Sequence, residues 1–108
     1  MFTLDDIYTL EEDETASQQA EVEALQRAIS SGMWSLQGSY GRAMMDAIES
    51  GYCVLGPNPA RDYFGNRIPA RGQIKSGTLG SIAYANRLRR ERGEKTITGS
   101  YLRRVEGA

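Results

Sequence analysis

Histidine is absent from this 108-residue chain, and cysteine occurs once. Without an imidazole the chain lacks the commonest general base, and no catalytic triad that requires histidine can form. A single cysteine, Cys53, can form neither an intrachain disulfide nor a thiolate metal cluster, and it fits a reducing, cytosolic setting. We therefore predict a protein that is not an enzyme, with no catalytic residues, no bound metal and no cofactor.

Long apolar runs are also missing, and no basic stretch precedes a hydrophobic segment at the N-terminus. From these features we expect no signal peptide, no membrane span and no membrane partner. With 40% hydrophobic and 25% charged residues, the composition predicts one small globular domain. Its core is small, which leaves little room for a deep polar pocket.

The charge is nearly balanced overall but unevenly distributed along the chain. Residues 1–26 contain eight acidic side chains and no Lys or Arg, whereas residues 59–108 contain eleven basic and four acidic side chains. Such asymmetry indicates either attraction within or between copies, including a possible homodimer, or two surfaces for two kinds of partner.

The spacing of apolar residues predicts three helices, over about 16–31, 39–50 and 81–92. Thr15 is the predicted N-cap of the first helix, which should end at Gly32. The first two helices should form an antiparallel pair, with Trp34 packed against one end of it.

The remaining segments complete the predicted architecture. Residues 1–14 read as an acidic arm of uncertain order, in which Thr3 and Asp6 resemble a weak capping box, and residues 15–108 form the domain. Two β-prone segments, 52–55 and 96–102, should pair as a short sheet. We predict an α+β fold: a helix pair, a third helix, a two-stranded sheet and a long Gly/Pro-rich loop.

That loop covers residues 57–80, where glycine and proline interrupt regular structure. A loop of this length in a small domain is usually functional or disordered, and we expect it to be ordered by wrapping the helices. It supplies four candidate binding residues: Tyr63, Phe64, Arg67 and Arg71. Cys53, inside an apolar run just before the loop, is predicted to be an inert buried thiol.

Four arginines on the third predicted helix form the clearest chemical signal: Arg87, Arg89, Arg90 and Arg92. Guanidinium groups grip phosphates or carboxylates, so an exposed face of this kind predicts an anionic partner. Nucleic acid is one candidate, although a sequence pI of about 5.4 is far from the basic value of a dedicated nucleic-acid binder. The acidic N-terminal segment is another, in cis or across a dimer.

Two motifs carry a resemblance to a known group of proteins. The element D-Y-x-G-N-x-x-P-x-R spans residues 62–71, and K-x-G-T-x-G-S follows at 75–81. With flanking sequence over about residues 25–85, they resemble small accessory proteins of tailed bacteriophages, especially those of actinobacterial hosts. The resemblance implies a phage gene product in the cytoplasm of the infected bacterium, and it supplies no activity and no catalytic residues.

Together these features favour a phage-encoded, non-catalytic interaction protein that binds a bacterial host or defence protein and changes its activity. The alternative is an accessory or regulatory protein that binds nucleic acid through its Arg-rich C-terminal helix.

Overall fold

Five helices and one small antiparallel sheet make up the computed structural model, which describes residues 2–11, 13, 17–36 and 38–107. The elements are α1 (Leu4–Glu11), α2 (Gln18–Ser30), α3 (Gly38–Glu49), β1 (Ala60–Arg61), β2 (Arg67–Ile68), α4 (Ile82–Glu91) and α5 (Gly99–Glu106). Short 3₁₀ turns occur at Met33–Ser35 and Arg71–Gln73. The predicted α+β class is confirmed, and the radius of gyration, 13.0 Å, is that of a single compact domain.

Helix α1 occupies most of the predicted N-terminal arm and packs against α2. The capping box is present: the Thr3 N–H donates to Asp6 Oδ2 at 3.0 Å, and the Asp6 N–H donates to Thr3 Oγ1 at 3.4 Å. Asp6 is buried and accepts from Arg27 of α2 at 2.7 to 3.0 Å. A buried carboxylate paired in this way fixes the register of α1 on α2.

Helix α2 lies at the centre of the fold and contacts α1, α3 and α5. Its N-cap is Ser17, which accepts from the Ala20 N–H at 3.1 Å, so the predicted start near residue 16 is early; Thr15 itself lies outside the described residues. After the helix, Gly32 adopts a left-handed conformation with φ of 74°, as predicted. Trp34 follows and is buried between α2 and α3.

Two groups of buried apolar side chains form the core. The larger consists of Ala28, Ile29, Trp34, Met44, Ala47, Ile48, Cys53 and Leu55. The smaller, beneath α4 and α5, consists of Val54, Ala85, Ile97 and Leu102. Because Val54 lies next to Cys53 and Leu55, the segment after α3 joins the two groups.

The predicted sheet between residues 52–55 and 96–102 does not form. Val54 of the first segment and Ile97 of the second are buried, and a side-chain amide pairs with each in place of a neighbouring strand. Gln26 donates to the Val54 carbonyl at 3.0 Å and accepts from the Val54 N–H at 2.9 Å. Asn86 makes the same pair with Ile97, at 2.9 and 2.6 Å. Because the amides satisfy these peptide groups, no strand partner is needed.

Most of the second segment is helical rather than extended. Thr98 caps α5 by accepting from the Tyr101 N–H at 3.1 Å, and Leu102 and Val105 are buried one turn apart. The β-branched residues before the cap suggested a strand, but apolar residues at a spacing of three, after a threonine cap, are typical of a short amphipathic helix.

The sheet that does form lies inside the predicted loop. Ala60 pairs with Ile68, and Arg61 pairs with Arg67. Ala60, Ile68 and Ile74 pack against the larger core group, so the loop is anchored on the helices as expected. A close approach at Gly80 completes the anchor: its carbonyl accepts from the Leu55 N–H, its φ is 96°, and an added Cβ would lie 2.6 Å from the Leu55 side chain.

Candidate functional site

The hairpin formed by β1 and β2 is built around one carboxylate. Asp62 Oδ1 accepts from the backbone N–H of Phe64 at 2.9 Å and of Asn66 at 2.8 Å, and Oδ2 accepts from the Asn66 side chain at 3.3 Å. The Gly65 N–H closes the turn on the Asp62 carbonyl at 3.0 Å, with Gly65 at a φ of 84°. Aspartate at the first position and a left-handed glycine after the turn are typical of such hairpins.

This turn presents two aromatic side chains to solvent. Phe64 is 80% exposed and Tyr63 is 66% exposed. Their rings meet edge to face, with centroids 5.4 Å apart and planes at 82°. Large apolar side chains held outward on a hydrogen-bonded turn are typical of binding surfaces, because they offer contact area at a small cost in conformational entropy.

Beside the two rings, an open groove of about 280 Å³ runs between the hairpin and α3. The groove is lined by Trp34, Leu36, Gly38, Gly41, Arg42, Met45, Asp62, Tyr63, Phe64 and Ile68. The lining is mainly apolar, and Arg42 is its cation. An apolar centre with a few charged groups at the margin is how protein-binding sites are usually arranged.

Arg67, a predicted binding residue, lies on β2 and is exposed. It stands directly opposite Arg61, and the Arg61 guanidinium donates to the Gly65 carbonyl at 2.9 Å. Ile68 and its strand partner Ala60 face the core. Because side chains alternate along a strand, Arg61 and Arg67 lie on the other face of the hairpin. Two like charges directly opposite each other are unfavourable for the hairpin itself, and they give its outer face a positive potential.

Arg71, another predicted binding residue, has an internal role. Its guanidinium donates to both carboxylate oxygens of Glu106, at 2.6 and 3.0 Å, and to the Leu55 carbonyl at 3.1 Å. Glu106 also accepts from Ser30. Burial opposes ionisation of Glu106, but the hydrogen bonds from Arg71 and Ser30 outweigh it and lower its pKa. Arg71 therefore ties the loop to α2 and α5.

The four arginines of the predicted basic face do not lie on one face. Arg89 points inward and donates to three carbonyls, those of Gly51, Tyr52 and Lys95, at 2.8 to 2.9 Å. A helix turns 100° per residue, so arginines at positions 87, 89, 90 and 92 spread around the axis. The prediction of one continuous face is wrong for this geometric reason.

The other three members of the cluster are exposed. Arg92 is paired with Glu94 at 2.9 Å and lies over the Tyr52 ring at 4.7 Å, and Arg87 lies over the Tyr84 ring at 5.3 Å. Arg90 is exposed on the same helix. The C-terminal part of the chain thus presents separate cations, several of them already stacked or paired, rather than a continuous basic stripe.

A second, larger depression of about 590 Å³ lies between α2, the end of α4 and α5. Tyr52, Tyr101 and Arg104 contribute to its wall. Arg104 is engaged there, since it pairs with Glu23 at 3.1 Å and lies over the Tyr101 ring. This pair joins the acidic N-terminal part of the sequence to the basic C-terminal part, but through Arg104 rather than through the arginines of the predicted basic cluster.

The reactive groups of the described residues are few. Cys53 is buried, and burial raises the pKa of its thiol to about 12, which fits the predicted inert thiol. Within the described part of the chain, no three acidic or cysteine side chains gather to hold a metal ion. Among these residues there is also no helix with the length and apolar character that crossing a membrane requires.

Comparison with known proteins gives no relative: no protein-family model, no curated protein and no solved structure matches this chain.

Proposed function

We propose that this chain is a phage-encoded, non-catalytic interaction protein that binds a bacterial host or defence protein through the hairpin of residues 60–68 and the groove beside it. The observation that supports this most strongly is the pair of exposed aromatic side chains, Tyr63 and Phe64, on a turn fixed by Asp62. The resemblance of the same segment to phage accessory proteins supplies the setting: the cytoplasm of an infected bacterium.

The hairpin presents contact area rather than reactive groups. Binding energy in protein interfaces is concentrated in a few aromatic and arginine side chains near the centre of the contact. Phe64, Tyr63 and Arg42 are side chains of these types, and they border one groove. Because the turn is hydrogen-bonded internally, little ordering is needed when a partner binds.

Nucleic-acid binding through α4 is the competing proposal, and the arrangement of its arginines weakens it. Arg89 is fully engaged by backbone carbonyls, and Arg92 is paired with Glu94. Neutralising several phosphates requires several free cations along one surface. Nucleic-acid binding is therefore an alternative outcome of the capture experiment.

The test is affinity capture from actinobacterial lysate with three immobilised proteins: the wild type, a double variant Tyr63→Ser/Phe64→Ser, and the control Leu79→Ser. Leu79 is 41% exposed on the same loop but away from the groove lining, so its variant controls for the loss of a surface apolar group. We expect one host protein to be retained by the wild type and the control and to be lost by the double variant.

Equal retention by the double variant would exclude the hairpin as the binding surface. Absence of any retained protein at micromolar concentration would count against the whole proposal. Nuclease-sensitive retention that is abolished by Arg87→Glu/Arg90→Glu would favour the nucleic-acid alternative instead. Once a partner is purified, adding the wild type but not the double variant should change that partner's activity.

A further inference from the structure

Helix α1 carries an exposed apolar stripe that the other described residues of the chain do not cover. Leu4 is 82% exposed and Tyr8 is 53% exposed. The two lie one turn apart on one face, and the exposed Asp5, three residues before Tyr8, lies beside Tyr8 on the helix surface. We call Leu4, Asp5 and Tyr8 the α1 stripe. Exposed leucine and tyrosine side chains next to a carboxylate form a small acidic-apolar surface.

The groove beside the hairpin has the complementary character. Its floor and walls are apolar, from Trp34, Met45 and Phe64, and its cation is Arg42. On the outer face of the hairpin, Arg61 and Arg67 add positive potential. Asp62 is the acidic side chain in the groove lining, and its carboxylate accepts hydrogen bonds from the backbone of the turn. The groove is thus an aromatic-apolar surface with Arg42 at its margin, while Arg61 and Arg67 lie on the face of the hairpin that points away from the core.

None of the α1 stripe residues lines the groove of its own molecule. Asp6 accepts two hydrogen bonds from Arg27 Nε and one from its Nη2, and the Phe2 N–H donates to Ser31 at 3.2 Å. These contacts hold α1 in place and leave Leu4 facing solvent. One chain therefore presents two complementary surfaces that are not in contact with each other.

We propose that the occupant of the groove in the free protein is the α1 stripe of a second copy of this chain. Leu4 and Tyr8 of each copy would pack on Phe64 and the groove of the other, and Asp5 would lie next to Arg42. Charge complementarity favours this occupant, because Asp5 of the stripe belongs to a segment, residues 1–26, with eight acidic side chains and no basic one, while the groove carries the exposed Arg42.

The arrangement is reciprocal, with two identical stripe-in-groove contacts related by a two-fold axis. A groove of about 280 Å³ holds one or two side chains, and a single contact of that size buries far less than the roughly 800 Å² per partner of a stable interface. A two-fold dimer doubles the contact and closes it, whereas a one-way contact would continue into chains.

This inference concerns self-association and does not need a host protein, although it uses the surface named in the proposed function. If both hold, a host protein that binds the hairpin must first displace the second copy. The dimer would then cover Phe64 until a partner is available. The two proposals fail separately, since oligomeric state is measured on the purified protein alone and host binding is measured by capture.

The experiment is sedimentation velocity on the full chain, from about 1 to about 100 µM, at low and at high salt. We expect a monomer–dimer equilibrium that weakens as salt rises. Asp5→Arg and Arg42→Glu should each weaken dimerisation about tenfold, because each change places two like-charge contacts in one dimer. Leu79→Ser, outside both surfaces, should leave the equilibrium unchanged.

Mixing the two charge variants is the decisive step. In a mixed dimer, the arginine introduced into one stripe meets the glutamate introduced into the other groove, while the unaltered Asp5 of the second copy meets the unaltered Arg42 of the first. The mixture should dimerise more tightly than either variant alone and approach the affinity of the wild type. Circular dichroism of each variant shows that it is folded.

Four results would overturn the proposal. They are a monomer at about 100 µM in low salt, a dimer that neither charge variant weakens, a mixture that fails to recover it, and growth into larger polymers, which would indicate a one-way contact. A variant that loses its circular dichroism signal is replaced by Tyr8→Ser or Phe64→Ser, each of which should weaken dimerisation by at least about tenfold through lost apolar burial.

Discussion

Gln26 is the buried amide that stands in for a strand partner, and Gln26→Glu tests that role directly. The substitution keeps the size and shape of the side chain but replaces the N–H donor with an oxygen. At neutral pH the introduced carboxylate would face the Val54 carbonyl, to which the amide donates at 3.0 Å. In its protonated form the acid could donate to that carbonyl and accept from the Val54 N–H, as glutamine does.

Burial and the facing carbonyl both favour the neutral acid, so folding should raise its pKa above the value of about 4.3 for an unfolded glutamate. The contribution of the Val54 pair to stability is therefore fully present below about pH 4.3 and is lost as the pH rises through the raised folded-state pKa, whereas the hydrogen bond that the Gln26 amide donates to Ser30 is lost at every pH. If the pKa rises by about two to three, the loss at neutral pH is about 2.5 to 3.5 kcal/mol. Gln26→Ala should cost about the same at every pH, since it leaves two buried peptide groups unpaired.

The assay is urea unfolding followed by circular dichroism from about pH 4 to pH 8, with the free energy of unfolding of each variant subtracted from that of the wild type at the same pH. Gln18→Glu, at an exposed position in the first turn of the same helix, is the matched control and should shift stability by no more than about 0.5 kcal/mol. A difference between Gln26→Glu and the wild type that stays constant with pH would refute the account of the Val54 pairing.

Three further predictions follow from single contacts. Burial of Asp6 opposes its ionisation, but hydrogen bonds from Arg27 and Thr3 outweigh burial and lower its pKa. Its contribution to the free energy of unfolding is therefore present above about pH 3.9 and is lost as the pH falls through the lowered value, so Asp6→Asn should flatten the acid limb of the stability–pH curve measured by thermal unfolding. Gly80→Ala should destabilise by about 2 to 4 kcal/mol in urea unfolding, because of its positive φ and the 2.6 Å approach to a leucine side chain. Arg89→Met should cost about 2 to 4 kcal/mol in the same assay through three lost carbonyl contacts, whereas the exposed Arg90→Met should change stability by less than about 0.5 kcal/mol.

Helical periodicity carried most of what the sequence could predict about the fold. Predicted helices over 16–31, 39–50 and 81–92 correspond to α2, α3 and α4 within two residues at each end. Their apolar residues recur with the helical period and their ends are marked by serine caps or by glycine, so local signals and tertiary packing agree. Gly32 is the clearest case, since its left-handed conformation is what ends α2.

The two predicted strands fail because the deciding interactions are long-range. Nothing near Val54 or Ile97 indicates that Gln26 or Asn86 will satisfy its peptide group, as these partners are 28 and 11 residues away in sequence. The actual sheet, Ala60 to Ile68, is two residues long in each strand, and it depends on the Asp62 turn rather than on strand propensity. A D-x-x-G pattern was the available signal for it.

Some of the predicted site residues are exposed in the structure, and others have partners inside the fold. Tyr63 and Phe64 are exposed together, so their prediction as binding residues stays open to test, while Arg71 and Arg89 have partners inside the fold. Sequence reasoning treated Arg71 and Arg89 as exposed binding residues, because composition does not reveal which carbonyls and carboxylates will be within reach. Arg42 was missed for the opposite reason: it stands apart from the basic cluster and reaches the groove only through the packing of α3 beside the hairpin.

The most direct test of the binding account is photocrosslinking from within the hairpin. A benzoylphenylalanine introduced at Phe64 replaces one exposed aromatic ring with another, and the same group at Leu79 provides a control on the same loop. After irradiation in actinobacterial lysate at micromolar concentration, the account predicts a discrete adduct with one bacterial protein from position 64, and none from position 79. Identical adduct patterns from both positions, or no adduct from position 64, would contradict the claim that this hairpin is where the protein binds its partner.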